Sequence, residues 1–151
     1  MRGRTADRIT VVLAVAGLCI SGYLTLLHYD SSIPLVCSAG SFVNCETVLA
    51  SPSATVLHVP VAVWGLVWFV VALGLAAGAL RSEERAGASS APTVRSALLA
   101  WSAVGTAGVM YLIYQEVGVI GKLCAWCTAV HVIIISMLVV QAQGANVTEE
   151  R

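Results

Sequence analysis

Four stretches of this chain are almost free of charge, and each is long enough to cross a lipid bilayer. They are Ile9–His28, Pro60–Leu80, Ser96–Gln115 and Leu123–Ala142, of 20 or 21 residues each. A spanning helix needs about 20 mostly apolar residues, because it rises about 1.5 Å per residue through roughly 30 Å of hydrocarbon. Nearly all other Lys, Arg, Asp and Glu fall between these stretches or at the ends. The pattern predicts an all-α integral membrane protein, a four-helix transmembrane bundle in one domain spanning 1–151. With 58% apolar and 11% charged residues, the chain lies far from soluble composition. Eight basic residues balance eight acidic ones, so there is no electrostatic footprint for nucleic acid. The glycines at 65, 74, 78, 105 and 108 suit close helix packing in lipid.

Arg2, Arg4 and Arg8 resemble the charged start of a signal peptide. The apolar run behind them is too long for one and has no small-x-small cleavage site, so it reads as a retained helix. Counting Lys and Arg by flank gives seven (2, 4, 8, 81, 85, 95 and 151) on one side against Lys122 on the other. The positive-inside rule then puts both termini in the cytoplasm and loops 29–59 and 116–122 outside. Residues 81–95 read as a flexible cytoplasmic linker and 143–151 as a polar tail. The expected location is therefore a membrane, spanned four times.

The five cysteines divide unequally. Cys19, mid-way along the first helix, reads as a small apolar packing residue. Cys37, Cys45, Cys124 and Cys127 all fall on the outer, disulfide-permissive side. Cys124-Ala-Trp-Cys127 opens the fourth helix. Residues at i and i+3 share a helix face, and the free N–H groups of a helix N-terminus favour thiolate over thiol. Lys122 adds positive charge nearby. Cys37 and Cys45 lie in a loop of small residues expected to be mobile. Asn44 is placed to cap a short helix running from there to the break at Ser51-Pro52. A mobile dithiol beside a rigid CxxC is the arrangement a thiol–disulfide relay needs. Two disulfides that only brace loops, and a zinc site of four thiolates, are the other readings of the same spacing; the spacing is a poor match to zinc.

Cys37-x7-Cys45 after helix one, Ser51 six residues beyond Cys45, and Cys124-Ala-Trp-Cys127 opening helix four together resemble the vitamin K epoxide reductase family. That family comprises four-helix, quinone-linked thiol oxidoreductases, and the resemblance spans about residues 9–142. The other known type of four-helix quinone-linked disulfide oxidase carries its CxxC in the first outer loop, the reverse of the order here. The resemblance implies that Cys127 faces a quinone, that Cys124 exchanges with Cys45, and that Cys37 completes the pair meeting a thioredoxin-like partner. It also places Ser51 near the quinone, where a hydroxyl can donate a hydrogen bond; a turn before Pro52 is the plainer reading. The implied acceptor is a quinone of menaquinone, ubiquinone or vitamin K type, with no metal.

The vertebrate enzymes of the family carry a tyrosine four residues after the second CxxC cysteine, and here that position is His131. It shares a helix face with Cys127, about 12 Å along from the helix start. An ionisable residue at membrane depth points to function, and imidazole can hydrogen-bond a quinone oxygen or carry a proton. A packing histidine bonded to a neighbouring helix is the alternative. The departure favours a bacterial-type enzyme that supports disulfide formation over a vitamin K epoxide reductase of vertebrate type. Val61, Trp64 and Trp126 are further expected quinone contacts, whereas His28 and His58 are expected at the outer interface.

Overall fold

The computed structural model describes residues 2–30, 32–37, 40–86 and 91–149. Its long helices are α1 (Arg2–Tyr29), α3 (Val61–Ala86), α4 (Ala91–Tyr114) and α5 (Ala125–Glu149). A short helix, α2 (Cys45–Leu49), lies in the connection between α1 and α3. The protein is an integral membrane protein: four helices carry apolar windows with mean hydropathy between 1.6 and 2.2. α1 packs on α3 and α5, and α4 packs on the same two, so the four close into a ring with α1 and α4 across the diagonal.

The bundle centre is built from Phe69, Leu98, Val109, Ile134 and Met137, with alanines at 14, 72 and 76 where helices approach closely. Gly17 is the tightest of these approaches, since a Cβ there would lie 2.2 Å from the Phe69 ring. Gly105 seats the Trp68 indole in the same way, at 2.5 Å. Among the glycines expected to mediate packing, Gly74 and Gly108 have nothing within 4 Å of a Cβ position, so they serve no helix contact.

The helices outrun the hydrophobic stretches. The expected linker 81–95 is mostly helical, because α3 continues to Ala86 and α4 begins at Ala91; residues 87–90 lie outside the described residues. The expected tail is likewise helix as far as Glu149, and α1 starts seven residues ahead of Ile9. Charge marks where lipid stops, whereas a helix continues as long as its backbone bonds are made. The extensions of α1, α3 and α4 are held by ion pairs. Arg95 Nη2 bonds Asp7 at 2.8 Å and Glu83 at 2.5 Å, and Arg4 pairs with Glu84 at 2.6 Å. Asp7 is fully buried. Deeper in, Gln141 donates to the hydroxyl of Thr10 at 2.7 Å, tying α5 to α1.

At the other end, the connection from α1 to α3 folds back over the bundle. Asn44 caps α2 by accepting from the Thr47 N–H at 3.0 Å. A 3-10 turn (Pro52–Ala54) follows, then a two-strand hairpin, β1 (Thr55–Val56) and β2 (Val59–Pro60). Its turn residues Leu57 and His58 have φ of 54° and 62°, left-handed backbone that usually selects Asn or Gly. α4 passes into a π-helical turn, Gln115–Ile120, which ends at Gly121 with φ 69°.

Candidate redox site

The segment bearing Cys37 and Cys45 is tied to the start of α5 by its backbone. Val43 and Leu123 form a parallel bridge, in which Asn44 N–H donates to Leu123 at 2.9 Å and Leu123 N–H to Phe42 at 3.0 Å. Trp126 Nε1 donates to the Val36 carbonyl at 2.8 Å, and Lys122 Nζ donates to the Ser41 carbonyl. Tyr23 of α1 stacks edge-on with Trp126 and bonds both Pro34 and Val36. The loop expected to be mobile is therefore docked in this state, held largely by hydrogen bonds that can be remade in water.

Docking brings the two cysteine pairs together. Cys37 and Cys45 form a disulfide, while Cys124 and Cys127 are free thiols. Cys45 and Cys124 are both buried, 1% and 0% exposed, in one apolar cluster with Val48, and Cys37 and Cys127 pack against it. Cys19 is also free but is exposed on α1, where it lines a shallow surface pocket with Tyr23, Val36 and Trp126.

Within the CxxC, the N–H of Cys127 donates to Cys124 Sγ at 3.2 Å. The Cys124 thiol is pushed below its ordinary range, chiefly by the hydrogen bond from the Cys127 side chain. Backbone N–H groups of Cys127 and Trp126 act in the same direction, and burial opposes them. The shift favours the thiolate form of Cys124.

Cys127 opens instead onto a cavity of about 280 Å³ running down between the helices. Its walls are apolar at depth, with Trp68, Gly105, Gly108 and Ile134. Polar groups gather at the cysteine end: Ser51, Gln115, Glu116 and His131. Of the expected quinone contacts, Ser51, Val61, Trp64 and His131 all line this cavity. His131 is 5% exposed, and no hydrogen bond from a described residue engages its imidazole. Ser51, on the cavity wall, donates its hydroxyl to the Val48 carbonyl at 2.7 Å.

Trp126 is not among the residues that line the cavity. Sitting between the cysteines in sequence, it points around the helix to Tyr23 and Val36 and clamps the loop. His28, expected at the interface, is on the cavity wall.

Glu116 is the residue that sequence reasoning missed. It is 5% exposed; its carboxylate accepts from the Cys124 N–H at 3.3 Å and interacts with the Cys127 side chain. In the sequence it looked like the first residue of a loop, because an acid normally ends an apolar run. The π-helical turn carries the wall past it, with Gln115 and Ile120, five apart, on the same side. π turns are frequent at functional sites. A lone acid followed by five uncharged residues was the available signal.

The described residues hold no group of three or more metal-ligating side chains. The cavity's donor set suits a quinone, with hydrogen-bonding groups near Cys127 for a ring and apolar walls beyond for a tail. Compared with curated protein sequences, the chain has no significant match. Family models do give one: a paired dithiol and disulfide at the mouth of an apolar cavity in a four-helix membrane bundle accords with the match of residues 8–142 to the vitamin K epoxide reductase family, to which this chain belongs.

Proposed function

We propose that the protein is a thiol:quinone oxidoreductase that draws electrons from a thioredoxin-like partner and supports disulfide formation on the cysteine side of the membrane. Family membership supports the coarser class, a thiol/quinone oxidoreductase. The observation that carries the finer reading is the continuous run from Cys37–Cys45, through the shared burial of Cys45 and Cys124, to Cys127 at the cavity. Two bracing disulfides would leave no reason for Cys124 and Cys127 to be free thiols beside a disulfide.

In this reading the partner's dithiol reduces Cys37–Cys45, and Cys45 thiolate attacks the Cys124–Cys127 disulfide at Cys124. Cys37 then closes on Cys45 and releases Cys124, giving the state seen here. A quinone supplies the oxidising power when it occupies the cavity, accepting two electrons and two protons as Cys124 and Cys127 close. His131 orients it by a hydrogen bond to a ring oxygen, Ser51 and Trp64 bound the ring, and Val61 lines the wall. Each 30 mV between successive two-electron couples supplies about 1.4 kcal/mol. The seven-to-one bias of Lys and Arg supports cytoplasmic termini and outward cysteines. His131 in place of tyrosine favours the bacterial type over the epoxide reductase.

The test is a trap. In a Cys37→Ala/Cys127→Ala chain, mild oxidation should join Cys45 to Cys124 in most molecules, read as one cross-linked peptide by mass spectrometry. No such peptide, with both thiols still alkylatable in denaturant, would remove the relay.

A further inference from the structure

Among the described residues, Glu116 is the one carboxylate on the cavity wall. Among the described residues no Lys or Arg pairs with it, since every ion pair here belongs to Arg4 or Arg95 at the far end of the bundle. An ionised carboxylate buried without a cation is costly. If its role were only to accept the Cys124 N–H, a glutamine would do that without the charge. What a carboxylate adds to an amide is the capacity to take and return a proton. Its position makes that capacity useful, because it touches both CxxC cysteines and opens on the space a quinone would fill.

We infer that Glu116 is a catalytic proton carrier, taking the Cys127 thiol proton as the Cys124–Cys127 disulfide closes and handing it to a quinone oxygen. This rests on the thiol:quinone reading above. Overall, two S–H bonds break, one S–S bond forms, two electrons pass to the quinone, and its two oxygens each gain a proton. The Cys127 proton travels by way of the Glu116 carboxylate, which ends as it began. The proton of Cys124 is released to water when its thiolate forms, and water returns a proton to the second quinone oxygen. The titratable groups facing Glu116 are Cys124, just ahead of α5; Cys127 and His131, on α5; and His28, on α1. α3 contributes none to the wall, and Cys45 of α2 is held in its disulfide.

The test uses the full chain in detergent, as wild type, Glu116→Gln and Glu116→Asp. One readout is reduction of ubiquinone-1 and of menadione with dithiothreitol as donor. The other, made without quinone, is the rate of iodoacetamide alkylation of Cys127 in the reduced protein, followed by peptide mass spectrometry. Glu116→Gln should slow quinone reduction about 100-fold, the low end of what a positioned proton carrier contributes, and Glu116→Asp should recover part of it. Alkylation of Cys127 in Glu116→Gln should be unchanged or faster, since losing a nearby negative charge favours the thiolate. Turnover within twofold of wild type would overturn the assignment, as would a parallel fall in turnover and alkylation, which marks a collapsed site. A wild type that reduces neither quinone would instead remove the thiol:quinone reading, and the carrier with it.

Discussion

Cys124 and Cys127 lie three residues apart on one helix start but face different surroundings. Cys124 is sealed against Cys45, and Cys127 opens to the cavity. The hydrogen bond from Cys127, with the N–H groups behind it, holds the Cys124 thiol below its ordinary value. A lowered thiol stays ionised further down in pH, and its reactivity is lost only as pH falls through the lowered value. In the reduced protein, half-maximal alkylation of Cys124 should therefore fall below pH 8.5, the usual midpoint for a free cysteine. It should move up in Cys127→Ala, which removes the leading cause. A stopped-flow pH series checks both. For the shuttle pair, Cys37→Ala should impair electron transfer from a thioredoxin-like protein far more than from dithiothreitol; equal loss with both donors would remove Cys37 from the partner-facing role. His131→Phe should raise the KM for quinone about fivefold, the worth of a hydrogen bond of about 1 kcal/mol, with exchange between the cysteine pairs intact.

Elements show how far a linear sequence reaches. Four helices, a capped α2 and the CxxC at the start of α5 follow from charge gaps, Asn44 and cysteine spacing, all of them local signals. What was hidden depends on rotation and on neighbours. Trp126 and Cys127 are adjacent, yet one clamps the loop and the other faces the cavity, because a single helical step turns the side chain by about 100°. Glu116 was hidden because the π-helical turn keeps the wall going beyond an acid that reads as a loop start. Gly17 was missed because its partner, Phe69, lies on another helix. Gly17→Val should place methyls in the Phe69 ring and cost about 1–3 kcal/mol, seen as a lower Tm in detergent. The hairpin turn offers the opposite sign. Replacing Leu57-His58 by Asn-Gly should relieve left-handed strain of about 1–2 kcal/mol per residue and raise the Tm.

At the scale of the whole molecule, the bundle has two ends with different bonding. The cysteine end is closed by backbone and indole hydrogen bonds to a docked loop. The far end is locked by Arg95 between Asp7 and Glu83, binding α1, α3 and α4 together where each runs past its apolar stretch. Breaking a buried pair costs about 3–5 kcal/mol; because Glu83 still holds Arg95, Asp7→Leu should cost near the lower figure while leaving the pH dependence of cysteine alkylation unchanged. The ion pairs that lock the helices thus lie at the end of the bundle opposite the cysteines.

The central claim is that electrons leave through Cys127 into a quinone in the cavity. The most direct measurement is quinone reduction by the purified protein in detergent with a dithiol donor, comparing wild type with Cys127→Ala. Turnover in the wild type that disappears in the variant, with Cys37 and Cys45 still able to form their disulfide, is the predicted result. A Cys127→Ala protein that reduces quinone at the wild-type rate would contradict it.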